Sequence, residues 1–277
     1  GQIYGPLLGA AQTLSSKAHV FHWPLEFPHI FFAEAAGRKG FDVVLGNPPW
    51  EVMQLSEEEY FSLHLPEIAT LAGATRKRAI AALETGFPGI FAGYITEKRK
   101  SEAGNEFARE SGRFSLAARG KVNTYSLFAE LFDNLMSSHG RAGVIVPTGI
   151  ATDSSSSAFF AALVGENKLV NLIDFENRAG IFPSVHRSFK FSLVTLGRNV
   201  PQASFAFFLT DPIQISDPER RFDLSSSEIE LINPNTRTAP VLRARSDAEL
   251  IRKIHTEVPV LSRDGEIEEN DRWQLSV

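Results

Sequence analysis

One tetrapeptide combines residue types that dictate a chemistry: Asn47-Pro48-Pro49-Trp50. Pro48 lacks a backbone donor and moves Asn47 out of the helical region. Pro49 does the same to Pro48, so the Pro48 carbonyl is held in a nearly fixed direction. Two acceptors result, the side-chain oxygen of Asn47 and the backbone oxygen of Pro48, with few donors beside them to compete. Adjacent acceptors of this kind suit an NH2 group, and the exocyclic amine of adenine is one. That amine is a poor nucleophile because its lone pair is delocalised into the ring. Accepting hydrogen bonds from both of its protons favours a more pyramidal, more nucleophilic nitrogen and stabilises the positive charge that develops as it attacks a methyl donor. Trp50 adds a flat face for a flipped-out base and a π system that favours a cation. By itself, Pro-Pro before an aromatic is equally a strand-ending turn.

Around the tetrapeptide, Phe41 to Gly46 (Phe-Asp-Val-Val-Leu-Gly) reads as a buried strand that delivers a site at its carboxyl end, where open α/β sheets place their chemistry. Upstream, residues 19–28 are aromatic and punctuated by Pro24 and Pro28, which predicts a short strand and a loop, followed by a short helix over 30–40 ending at Gly37 or Gly40. His19, His22 and His29 lack the spacing and carboxylates of a zinc site, so no metal is expected. Residues 51–121 are polar and helical, broken at Pro66, Gly73 and Gly86 to Gly89. From Arg76 to Lys121 ten Lys and Arg stand against five Asp and Glu, and the clusters Arg76-Lys77-Arg78 and Lys98-Arg99-Lys100 predict phosphate contact from an insertion after the motif strand.

Further on, Asn123 or Thr124 is placed to cap an amphipathic helix running to about Ser137, with Gly140 as terminator. Residues 142–147 form a second apolar strand, and the helix between the two strands implies a parallel crossover. The unit repeats: a helix over 158–164 capped within Ser154 to Ser157 and stopped by Gly165, then strands over 169–175, 189–196 and 203–209. The class is α/β, mostly parallel with an antiparallel edge. After Thr210 the composition turns to Asp, Pro, Ser and Glu, which predicts a loop-rich extension over 211–277 with one short helix, roughly Asp247 to His255.

At 277 residues and 43% apolar content the chain can bury a sizeable core, and no cysteine is present for disulfides or thiolate metal sites. No apolar run approaches the ~18 residues a membrane span needs, and residues 1–4 lack the features of a signal peptide. These readings fit the cytoplasm. The formal net charge is −5, so the basic excess of 76–121 is local.

Asn47-Pro48-Pro49-Trp50 resembles the catalytic Asn/Asp-Pro-Pro-aromatic motif of the S-adenosylmethionine-dependent amino-methyltransferases. The match extends through residues 120–128, 140–148, Ile181-Phe182-Pro183, 189–193 and 233–240, and across roughly 20–210 it resembles the large restriction–modification and phage-defence DNA adenine-N6 methyltransferases of bacteria. The resemblance implies part of a Rossmann-like methyltransferase sheet in residues 1–210, with a helical, basic insertion over about 52–121. It implies S-adenosylmethionine as cofactor, double-stranded DNA as partner, and Asn47, Pro48, Pro49 and Trp50 as catalytic residues. Phe182 would stack on the flipped adenine, with Arg76, Lys77 and Arg78 proposed for substrate contact. That family binds the donor at a Gly-rich turn and an acidic residue upstream of the motif. Gly5 and Gly9 are poorly spaced for this, so the donor site is expected in a missing amino-terminal part of the same protein, and the fragment alone is expected to be weak or inactive. Protein-glutamine and RNA methyltransferases share the motif and form one alternative. A non-catalytic DNA-recognition or assembly module forms another.

Overall fold

A six-stranded sheet, in the order β1-β2-β4-β3-β5-β6, carries the candidate site in the computed structural model, which describes residues 5–18, 20–32, 39–258 and 260. Its strands are β1 (Phe41–Gly46), β2 (Met136–Pro147), β3 (Leu169–Glu176), β4 (Lys190–Leu196), β5 (Gln202–Leu209) and β6 (Phe222–Ser225). β1 pairs parallel with β2, and β3 with β5, whereas β4 lies antiparallel between β2 and β3 and β6 runs antiparallel to β5. Four strands therefore share one direction, and their carboxyl ends at Gly46, Pro147, Glu176 and Leu209 open on one edge of the sheet.

The mixed α/β class, the parallel crossover and the antiparallel edge strand are as expected. β4 adds a second antiparallel strand in the interior. β1 is less buried than its composition suggests: Val43 is 63% and Leu45 76% exposed, and no described strand pairs with its outer edge.

Among the described residues, three helices precede β1: α1 (Gly5–Ala18), α2 (Trp23–Glu26) and α3 (Pro28–Phe31). The strand expected over 19–28 is replaced by α2 and the start of α3, because Pro24 and Pro28 occupy first-turn positions, where a missing backbone donor costs nothing. Of the helix expected over 30–40, residues 33–38 lie outside the described residues, as does His19. The rings of Trp23, Phe27 and Phe31 each lie edge-on to Phe41, with centroids 5.6, 5.4 and 5.4 Å away, and pack this segment on the start of β1.

Between β1 and β2 stand α4 (Glu57–His64), α5 (Pro66–Ala69), α6 (Gly73–Gly86), α7 (Pro88–Glu110) and α8 (Thr124–Leu135). The breaks fall where Pro66, Gly73 and Gly86 to Pro88 predict them. The first four of these helices share their own apolar cluster, built from Phe61, Ile68, Ile80, Leu83 and Tyr94. β2 begins directly after α8, so Gly140 sits inside a strand rather than ending a helix. A Cβ there would stand 2.6 Å from both the Phe41 carbonyl oxygen and Met136 Cγ, so the glycine allows β1 to approach β2 closely.

After β2 come α9 (Gly149–Thr152) and α10 (Ser157–Gly165), and after β6 come α11 (Ser226–Ile232) and α12 (Arg245–Glu257). Phe222, Leu224, Ile229, Ile232 and Ala248 all join the main core, so residues 222–257 add a strand and two helices where loop was expected apart from one short helix. Phe222 stacks with Phe205 and Phe207 at centroid distances of 5.8 and 6.3 Å, which binds β6 to β5 through ring contacts as well as the ladder.

Candidate active site

Gly46 ends β1 opposite Val144 of β2, and a Cβ on it would meet Phe132 Cζ at 2.8 Å. The bare glycine thus lets α8 pack under the last residue of the strand, and the chain leaves the sheet at Asn47. Asn47 and Pro49 are exposed while Pro48 is buried, and the Asn47 side chain has no hydrogen-bond partner among the described residues.

The far side of the tetrapeptide is clamped by the start of α8. Thr124 Oγ1 donates to the Pro49 carbonyl at 2.6 Å and accepts from Glu51 N–H at 3.0 Å, while Thr124 N–H donates to the Glu51 carbonyl at 2.9 Å. Val52 and Asn123 form a bridge, and Met53 N–H reaches the Val122 carbonyl at 2.9 Å. Neither expected cap bonds the helix through its side chain: Asn123 precedes α8 without such a bond, and the Thr124 hydroxyl serves the tetrapeptide instead.

Trp50 is half-buried, donates from Nε1 to the Ile145 carbonyl at 3.3 Å, and packs on both the main core and the cluster of Ile173, Phe175, Phe191, Ala206 and Leu209. Phe182 packs on that second cluster too, with its ring 5.0 Å from Phe191 at 69°. Trp50 of the tetrapeptide and Ile181 and Phe182 of the following loop therefore pack on one apolar cluster at the carboxyl edge of the sheet.

Asn177, which sequence reasoning missed, holds that loop. It is fully buried, its Nδ2 donates to the carbonyls of Phe182 and Val185 at 3.0 and 2.8 Å, and its Oδ1 accepts from Phe182 N–H at 2.9 Å. The network fixes the amide orientation, since N–H must face oxygen at all three contacts. The available signal was an Asn directly after a strand and three residues before Gly180, which takes a left-handed turn at φ +76°.

Beneath the same edge lies Asp174, a buried carboxylate that accepts from the Thr148 hydroxyl, from Ser192 Oγ at 3.2 Å and from Phe208 N–H at 3.3 Å. Burial pushes its carboxyl above the ordinary range, against the opposing pull of these donors and of the Lys190 charge. It ties together β3, β4, β5 and the loop after β2.

The proposed phosphate contacts in the insertion find a different setting. Arg76 turns inward, with Nη2 on the Ala69 carbonyl at 2.7 Å and 3.6 Å from Glu58, whereas Lys77 and Arg78 are exposed. Glu57, Glu58, Glu59 and Glu67 stand in α4 and α5, beside the basic helices, so residues 57–121 hold nine Asp and Glu against the ten Lys and Arg. The cavity of about 900 Å³ in this region is lined by Glu57, Glu58, Glu102, Glu106 and Glu110 as well as Arg76, Lys77, Lys98 and Arg109. A neighbouring cavity of about 720 Å³ reaches Trp50 and is lined by Glu51, Glu59 and Lys121. Counted over 57–121 the insertion is thus close to charge balance, and Arg76, Lys98 and Lys100 stand in ion pairs with Glu58, Glu102 and Glu97.

The residues described do not complete a donor site of the kind the sequence resemblance implies. Gly5 and Gly9 lie in α1, fully helical and with open space around them, and no described strand-to-helix turn rich in glycine precedes β1. Among the described residues no group of three His, Cys, Asp or Glu could hold a metal ion, and no helix is long and apolar enough to cross a membrane.

Residues 6–75, which include β1 and the tetrapeptide, match the family model of the Eco57I restriction-modification methylase. No curated protein matches the chain. Among solved structures, it is similar to the type I restriction-modification methyltransferase subunit from Streptococcus thermophilus, at 16% identity and a TM-score of 0.38 over 50% of this chain and 35% of that one. A second similarity is to a structure of the type I R-M system, at 12% identity and 0.37 over 79% and 42%. A third is to a putative class I S-adenosylmethionine-dependent methyltransferase from Listeria monocytogenes, at 14% and 0.32 over 65% and 39%. The chain thus spans well under half the length of each of these structures.

Proposed function

We propose that this chain is the carboxyl-side part of a DNA methyltransferase of a restriction–modification or phage-defence system, one that methylates the N6 amine of a flipped adenine with S-adenosylmethionine as donor. The observation that carries the reading is the family match across β1 and Asn47-Pro48-Pro49-Trp50, together with the packing of Trp50 and Phe182 against one cluster at the edge where that tetrapeptide emerges. Asn47 Oδ1 and the Pro48 carbonyl accept the two amine protons and so raise the nucleophilicity of the nitrogen. The Thr124 hydroxyl on the Pro49 carbonyl and the Trp50 bond to Ile145 keep those acceptors in place before substrate arrives. Phe182, held by Asn177, offers the ring on which the base stacks, an interaction worth about 1–3 kcal/mol per base.

Donor binding is assigned to a further part of the same protein. The exposed Val43 and Leu45, and an outer edge of β1 that no described strand pairs, support this, because a parallel strand of that composition is ordinarily covered on both faces. The test is methyl transfer from labelled S-adenosylmethionine to unmethylated duplex DNA, by this chain and by its full-length parent, each beside an Asn47→Ala variant. Label in the N6 position of adenine from the parent, lost in the variant, is expected. Transfer to protein or RNA but not DNA, or none from a folded parent, overturns the reading.

A further inference from the structure

We propose that the surface meeting the DNA backbone is a basic and aromatic patch at the carboxyl edge of the sheet, formed by Arg178, Arg187, Lys190 and Arg243 around Phe208, rather than the helical insertion. The inference rests on the proposed DNA substrate and says where on this chain its phosphates are held.

Side-chain contacts join these residues into one continuous surface. Arg187 Nη1 donates to the Arg178 carbonyl at 3.3 Å. Arg178 Nε and Lys190 Nζ both reach the Glu176 carboxylate, at 2.6 and 3.2 Å. Lys190 Nζ lies over the Phe208 ring at 5.2 Å, and the Arg243 guanidinium lies over it at 4.3 Å. Four cations meet three carboxylates here: Glu176, buried and shared by two of the cations, Asp174, buried beneath, and Asp247, which keeps its charge while accepting from the backbone N–H of Arg243 and Ala244. Arg187 and Arg243 pair with no carboxylate among the described residues, so the outward-facing charge is positive.

Stability does not explain this arrangement. Arg178 is 73% and Lys190 45% exposed, and ion pairs at such positions contribute little. Phe208 takes a left-handed backbone, φ +60°, an uncommon conformation for a bulky residue, and the ring it presents holds two cations in place in advance. Cations positioned before binding lose less freedom on meeting a phosphate. The patch also borders on the proposed base site: Arg178 follows Asn177, which grips Phe182, and Phe189, 51% exposed, lies beside Lys190. Cations interleaved with aromatic rings are what nucleic-acid backbones and unstacked bases require. In the insertion, by contrast, Arg76, Lys77, Lys98 and Arg109 share one cavity wall with Glu57, Glu58, Glu102, Glu106 and Glu110.

The experiment measures binding of the 277-residue chain to a fluorescein-labelled duplex of 30 base pairs across 25–200 mM salt. The triple variant Arg178→Ala/Arg187→Ala/Arg243→Ala is compared with Lys77→Ala/Arg78→Ala/Arg99→Ala, and melting temperature verifies folding. Each phosphate contact contributes about 0.9 to the slope of log K against log salt. The patch variant is expected to flatten the slope by about 2.7, and the insertion variant by less than 1. The charge-keeping variant Arg178→Lys/Arg187→Lys/Arg243→Lys retains the slope, which separates lost charge from lost fold. An unchanged slope in the patch variant, a larger loss in the insertion variant, tighter binding to single-stranded RNA than to the duplex, or no duplex binding by the chain overturns the proposal. DNA binding that depends on the patch but brings no methyl transfer in the parent would leave the patch standing and sink the catalytic reading.

Discussion

Replacing Asn177 by Ala tests whether one buried amide organises the Phe182 loop. Its side chain makes three hydrogen bonds, two from Nδ2 to the carbonyls of Phe182 and Val185 and one into Oδ1 from Phe182 N–H, and it has no exposed surface. At about 0.5–1.5 kcal/mol each, the three contribute roughly 1.5–4.5 kcal/mol. The loss is expected to fall on local opening of residues 177–189, because the strands on either side keep their ladders with β2 and β5. Hydrogen exchange at the Phe182 amide reads that opening directly. Protection there drops by a factor of about 10 to 2,000, by conversion of the same range, while amides of β3 change far less. Asn177→Asp sharpens the test. It keeps the acceptor for Phe182 N–H but turns an anionic oxygen toward two carbonyl oxygens, so at pH 7 it opens the loop at least as much as Ala. Burial raises the carboxyl pKa of that Asp, and acidification then restores protection as the protonated form donates to one carbonyl. Protection at Phe182 that is unchanged in Asn177→Ala, or an Asp variant that loosens further as pH falls, would refute the reasoning.

Gly46→Ala sets a methyl group 2.8 Å from Phe132 Cζ and is expected to cost about 1–3 kcal/mol in urea unfolding, partly recovered when Phe132→Leu is added. Tyr94 donates to Glu57 at 2.9 Å, and burial first, then that bond and the nearby Glu57 and Glu102 charges, push its hydroxyl up to about 12. The folded-state value lies above the ordinary 10.0, so the stability this group contributes is complete below pH 10 and is lost as pH rises through about 12; burial also raises Tyr60 and Tyr125, so an ultraviolet titration checks it by a late-ionising fraction that falls by one tyrosine in Tyr94→Phe.

The sequence displays whatever depends on neighbours a few residues away. The β1 run, the prolines and glycines that break the insertion and the stop at Gly165 act locally, and each lies where the pattern predicts. The tetrapeptide and the Phe182 loop stand out in the sequence because the resemblance rests on short contiguous blocks. What stayed hidden depends on distant partners. Thr124 looks like a helix cap until Pro49, 75 residues earlier, takes its hydroxyl. Gly140 looks like a terminator until the Phe41 carbonyl proves to lie against it. Charge behaved likewise: the run from Arg76 to Lys121 reads as basic along the chain, but α4 carries three glutamates beside it and sets Glu58 against Arg76. The patch around Phe208 draws on residues from 178 to 243, so no sequence window contains it.

The pairing of β1 with β2 also sets an order of events as the chain is made. Gly46 pairs with Val144, so 98 residues must leave the ribosome after the first strand before its partner exists, about 5–20 s at ordinary synthesis rates. During that interval the helices between them can complete their separate cluster around Phe61 and Tyr94, which needs no residue of either strand. Folding those helices first shortens the free loop that β1 and β2 must close, easing closure by roughly 0.7 kcal/mol. The helical insertion thereby acts as a spacer that draws together the two strands that position the site, before either has found the other.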